Sequence, residues 1–87
     1  DQTIDLPFYG RAGWIVEVRA EGETGVDPIA ALIAPDGTVI AENDDSGGTN
    51  TASLEAPLDH DGTHLVRVRV YGAGGRVRIT VIARAVG

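Results

Sequence analysis

Apolar and polar residues alternate with period two through most of the chain, the pattern of strands that bury one face. In Thr3 to Tyr9, the residues Ile4, Leu6 and Phe8 fall on one side, and Pro7 restricts this first strand to an edge or an irregular pairing. From Gly13 to Ala20, Trp14, Val16 and Val18 point one way while Glu17 and Arg19 point the other, which assigns Trp14 to the core rather than to an exposed ligand platform. Residues 28–34 read PIAALIA, a continuous apolar run whose period fits helix or strand. Its shortness and its flanks favour a strand: Asp27 and Pro28 open it, and Pro35, Asp36 and Gly37 close it. Those last three residues build a turn, because Pro fixes φ at the first corner, Asp accepts a local backbone hydrogen bond, and Gly supplies φ above zero. Thr38 to Glu42 then returns antiparallel as the second arm of a hairpin.

Asn43 to Asn50 (NDDSGGTN) has no periodicity and reads as an exposed loop. Thr51 to Leu58 resumes a weak strand with Ala52, Leu54 and Ala56 on one face, and Asp59 to Gly62 is a second polar turn. The strongest alternation comes last. Val66, Val68 and Val70 alternate with Arg67 and Arg69; Val77, Ile79, Val81 and Ala83 alternate with Arg78, Thr80, Ile82 and Arg84; Gly72 to Gly75 between them reads as a hairpin loop. About seven short strands without an amphipathic helix predict an all-β fold, an antiparallel β-sandwich, with a small closed barrel as the alternative. A chain of 87 residues holds one hydrophobic core, so 1–87 is read as one domain, with 1–8 as an edge strand or a strand exchanged with a neighbour.

Composition narrows the chemistry. With one Phe, two Tyr and one Trp, the core must be built from Val, Ile, Leu and Ala. The absence of cysteine excludes disulfides, a thiolate nucleophile and cysteine-bound zinc. No stretch approaches the roughly 18 to 20 apolar residues of a membrane-spanning helix. A net charge of −6 argues against a nucleic-acid binder held by phosphate contacts. The charges are unevenly spread, since all seven basic residues are Arg and five of them follow residue 66, whereas most acids fall in or beside turns.

The order of landmarks resembles a known family. A Gly-containing turn precedes an alternating strand; then come DPIAALIAPDGTVIAENDD from Asp27 to Asp45, a small polar loop, Gly62 and Thr63 before a valine-rich strand, and Gly74 and Gly75 before the last one. This succession, from about Tyr9 onward, is similar to the bacterial pre-peptidase C-terminal domain family. His64 and Leu65 depart from it, standing where the family often has an aromatic pair. The resemblance implies a jelly-roll-like sandwich without a catalytic centre, of the kind appended to secreted bacterial hydrolases and surface proteins. A start at Asp1 without a leader reads as a mature exported product or an excised module.

Two clusters are candidate sites. Asn43, Asp44 and Asp45, joined by Asp27 and Asp36 if the hairpin brings them near, are oxygen donors suited to calcium; the other reading is that they cap a loop through local backbone hydrogen bonds. Arg67 and Arg69 share one face of their strand, as do Arg76, Arg78 and Arg84 on what is read as its hairpin partner. Such a face is either solvated and partly neutralised by Glu17 and Glu55, or a surface that docks the carboxylates of another molecule. Asp59, His60 and Asp61 lack a Ser placed by any nucleophile motif, and catalysis is not expected. Two function classes follow: a binding module for a protein or polysaccharide partner, or a subunit that assembles with copies of itself.

Overall fold

A computed structural model of the chain describes residues 2–23, 25–44, 50–72 and 75–85, with the backbone alone at 44, 71 and 72. The described residues form seven strands: β1 Gln2–Gly10, β2 Trp14–Gly22, β3 Val26–Ile33, β4 Val39–Asp44, β5 Thr51–Pro57, β6 Gly62–Gly72 and β7 Val77–Ala85. They lie in two antiparallel sheets, a four-stranded one of order β1-β6-β3-β4 and a three-stranded one of order β5-β2-β7. The result is the β-sandwich expected from the alternation. Only β3 and β4 are consecutive neighbours within one sheet; each of the other connections crosses from one sheet to the other.

The β3–β4 hairpin shows how the local sequence acts. Gly37 N–H donates to the Ala34 carbonyl at 2.9 Å, closing a turn with Pro35 and Asp36 at its corners, and Gly37 itself has φ of 91°. Asp36 Oδ1 accepts a hydrogen bond from Thr38 N–H at 2.9 Å. The extra residue taken up by the left-handed Gly appears as a register shift between Leu32 and Ile33, the geometry of a turn followed by a glycine bulge.

The core is the set of inward-facing small aliphatics. Val16, Val18 and Ala20 of β2 face Ala30 and Leu32 of β3 and Val66, Val68 and Val70 of β6, with Ala52, Leu54, Ala56 and Leu58 closing it from the β5 side. Trp14 is half-buried and packs on this cluster rather than within it.

One sequence-based reading is overturned. β6 and β7 are not a hairpin: β6 pairs with β1 and β3, whereas β7 pairs with β2 in the opposite sheet. Both edges of β6 are taken, so β7 cannot pair beside it and instead joins β2 in the opposite sheet. The reading of Asn43 onward as loop is also corrected, because β4 continues through Asn43 and Asp44, in register with Ala30 and Ile29.

Burial gives a direct test of the core assignment. Leu32→Ala, at a fully buried position, is expected to lower unfolding free energy by about 2–5 kcal/mol. Leu6→Ala, on the same side of its sheet but 38% exposed, is expected to cost about 1 kcal/mol or less in urea unfolding at low protein concentration.

Candidate functional site

Neither predicted cluster assembles as a single site. Asp36 sits in the β3–β4 turn and is engaged with Thr38, at the end of β3 opposite Asp27. The eight residues of β3 separate the two by roughly 25 Å. Asp27 is half-buried at the start of β3, Asn43 is half-buried opposite Ala30, and Asp44 stands in register with Ile29, so these three share one end of the four-stranded sheet. Asp45 lies outside the described residues. Among the described residues, no three His, Asp or Glu side chains gather closely enough to hold a metal ion.

The arginines are divided between the two outer faces of the sandwich. Arg67 and Arg69 belong to β6 in the four-stranded sheet; Arg78 and Arg84 belong to β7 in the three-stranded one, and Arg76 immediately precedes it. Arg67 is already engaged: its Nε donates to Asp5 Oδ1 at 2.8 Å and its Nη2 to Oδ2 at 3.2 Å, across a directly opposed β1–β6 pair. This two-pronged contact holds the Asp5 carboxyl below the usual aspartate range, chiefly through the hydrogen bond from Arg67, and holds Arg67 above its own usual value. Arg84 reaches Glu55 at 3.3 Å, and Arg78 stands opposite Glu21 on β2. At the end of this sheet an open concavity of about 550 Å³ is lined by Glu21, Glu23, Arg76 and Arg78, in which the two signs of charge offset each other.

The feature that sequence reasoning missed lies along one side of the sandwich. β4 and β5 contact each other and close one side, which leaves β1 and β7 as the outer strands of the other. Register with buried partners puts Ile4, Leu6 and Phe8 of β1 opposite Val68, Val66 and His64, on the core side. It likewise puts Val77, Ile79, Val81 and Ala83 opposite Gly22, Ala20, Val18 and Val16. These side chains point inward yet are incompletely covered: Leu6 is 38% and Val81 is 37% exposed. The four-stranded sheet overhangs the three-stranded one by one strand, about 5 Å, and β1 is the overhang. On the outer surface of the same edge, Ile82 is 48% exposed. The signal available in the sequence was the apolar alternation of two strands with odd numbers to share between two sheets.

His64 anchors one end of this side. Its ring is fully buried and stacks on Phe8 at a centroid distance of 5.5 Å. Nδ1 lies 2.9 Å from the Gly62 carbonyl, which can only accept, so the ring's donor is at Nδ1 and Nε2 faces no polar partner among the described residues. Nearby, Asp61 Oδ1 accepts from Ala12 N–H at 2.8 Å and ties the β1–β2 turn to the β5–β6 connection. Asp61 is thereby committed to a backbone contact.

Comparison with protein families, with curated proteins and with solved structures gives no match.

Two outcomes are expected. A carboxyl held low in the folded chain adds stability above the ordinary aspartate value near 4 and loses it as pH falls through the lower folded value. The melting temperature of Asp5→Asn should therefore decline less steeply than that of the parent chain as pH falls below about 4. His64→Phe keeps the stack on Phe8 and removes the unpartnered Nε2 together with the Nδ1 hydrogen bond to Gly62; these effects oppose each other, and calorimetry is expected to show a melting temperature within about 5 °C of the parent chain.

Proposed function

We propose that the chain is a non-catalytic, extracellular β-sandwich module that acts by association, through the unsealed side between β1 and β7. The observation that supports this reading is the pair of inward-facing but uncovered residues Leu6 and Val81, on two strands whose outer edges are free of any partner strand among those described. Free edges carry a row of unpaired backbone donors and acceptors, and with an apolar row beside them they accept an added strand. The extracellular, accessory setting rests on the resemblance of the motif succession from Asp27 to Asp45 and from Gly62 to Val70 to that of the pre-peptidase C-terminal domain family.

The side-chain chemistry of the edge also describes its partner. The outward face of β7 presents Arg78, Thr80, Ile82 and Arg84, so the best-matched segment is extended, with apolar residues alternating with acidic ones. A peptide alternating valine and glutamate is expected to bind in the range of about 10–100 µM and to slow hydrogen exchange at β7 amides. If β1 and β7 amides gained no protection at about 1 mM peptide, and the chain showed no self-association, the reading would be wrong.

A further inference from the structure

We infer that the open side is closed by the same side of a second copy of this chain, giving a two-fold dimer in which each copy completes the other. The inference rests on the associative reading of the β1/β7 side and names its partner. It starts from the mismatch of one strand between the layers. In the order β1-β6-β3-β4 over β5-β2-β7, β4 and β5 meet at the closed side, so at the open side β1 extends past β7 with no described strand beneath it.

A step of this shape is complementary to itself. A two-fold axis running along the strands exchanges the layers as it exchanges the copies, so the overhanging β1 of each copy enters the space beyond β7 of the other. Each layer then becomes a continuous seven-stranded sheet of order β4-β3-β6-β1 followed by β7-β2-β5 of the partner copy. The two β1 strands lie back to back across the axis, and Ile4, Leu6 and Phe8 of one copy cover those of the other. Sheet-to-sheet packing of this kind is what the core already uses in β2, β3 and β6.

Strand direction is compatible with this arrangement. The turn from Gly10 to Trp14 reverses the chain between β1 and β2, and β7 is antiparallel to β2, so β1 and β7 run the same way. An axis along the strands preserves that direction and makes the new junctions parallel pairs. With Leu6 aligned to Val81, Pro7 falls beside Ile82, Tyr9 beside Arg84, and Asp5 beside Thr80, one position diagonal to Arg78. The exposed residues Tyr9 and Ile82, 59% and 48% accessible, thus acquire neighbours suited to them, an arginine plane for the phenol ring and a proline for the isoleucine. Pro7 supplies no N–H, so the junction depends on its neighbours and on the apolar row more than on an unbroken ladder.

The other closed arrangement pairs like strands, β7 with β7 and β1 with β1, both antiparallel. Centred on Val81, it places Arg78 directly opposite Arg84 in both halves of the β7 junction, a repulsion with no acid in the row. Filaments are disfavoured for a different reason. The free edges of β1 and β7 lie on the same side of the molecule, so one neighbour satisfies both and the contact made through this side closes.

The test is the mass of the chain in solution, read by sedimentation velocity and light scattering up to about 0.5 mM. The expected particle is twice the 9.1 kDa chain, with exchange-protected amides in both β1 and β7. Leu6→Arg and Ile82→Glu, at two exposed positions of the edge strands, are expected to weaken the dimer by about 100-fold each while circular dichroism keeps the β signature of the parent. A monomer at the highest concentration would overturn the inference, as would growth beyond the dimer or a dimer indifferent to both substitutions. A monomer that still captures the valine–glutamate peptide would leave the associative reading standing and remove only the second copy.

Discussion

Everything in this sandwich hangs on the buried cluster to which β2 contributes from one layer and β3 and β6 from the other. Val16, Val18 and Ala20 on one side and Ala30, Leu32, Val66, Val68 and Val70 on the other are the buried residues about which both sheets are centred. Their side chains are small and mostly branched at Cβ, so each contributes modest apolar area and little rotamer freedom is lost on burial. A core of this composition is strong where it is enclosed on all sides and weak at its margins, because few long side chains reach out to cover a gap. The half-covered state of Leu6 and Val81 follows from that. Neither is short of hydrophobicity; Leu6 lies on the overhanging strand and Val81 on the outermost strand of its sheet.

The polar features take their places around this centre. The Asp5–Arg67 contact ties the overhanging β1 to the central β6 on the outer face, where it can form without removing charge from water. Asp61 fastens the turn after β1 to the segment before β6. β1 is thus held by its ladder, by an ion pair and by one turn contact, while its inner face contributes only partly to the core. The edge is tied down on its outer face while its inner face stays partly uncovered.

Much of the fold was legible because its signals are local. Period two in Val66 to Val70 and in Val77 to Ala83 marks strands and their inner faces, and Pro35, Asp36 and Gly37 specify a turn whose geometry the structure reproduces. What period two cannot carry is which sheet a strand joins. Val70 and Val77 are close in sequence, and a glycine-rich link between them suits a hairpin as well as a crossing; β6 having both edges occupied decides the matter, and that depends on β1 and β3, far away in sequence. The arginine face dissolved with the hairpin. The acidic cluster was legible in part: alternation brings Asp27, Asn43 and Asp44 to one end of a sheet, while Asp36 belongs to the turn at the other. The open side left no trace in the sequence because Leu6 and Val81 read as ordinary core positions, and their exposure is set by what is absent across from them.

The connectivity also governs how the chain comes to be folded. β1 pairs only with β6 among the described strands, joining Gln2 to Val70 and Asp5 to Arg67. Those contacts must wait until nearly all of the intervening chain is in place, and the same holds for β7, whose partner β2 lies more than fifty residues before it. With one local hairpin to nucleate on, the search is dominated by distant pairings, which places folding in the slow range of about milliseconds to seconds for two-state β proteins. β1 precedes every other described strand along the chain and is among the last of them to find its place. Its row of Ile4, Leu6 and Phe8 stays unpartnered until then, and the proline and aspartate set within the row are suited to keeping it from premature pairing.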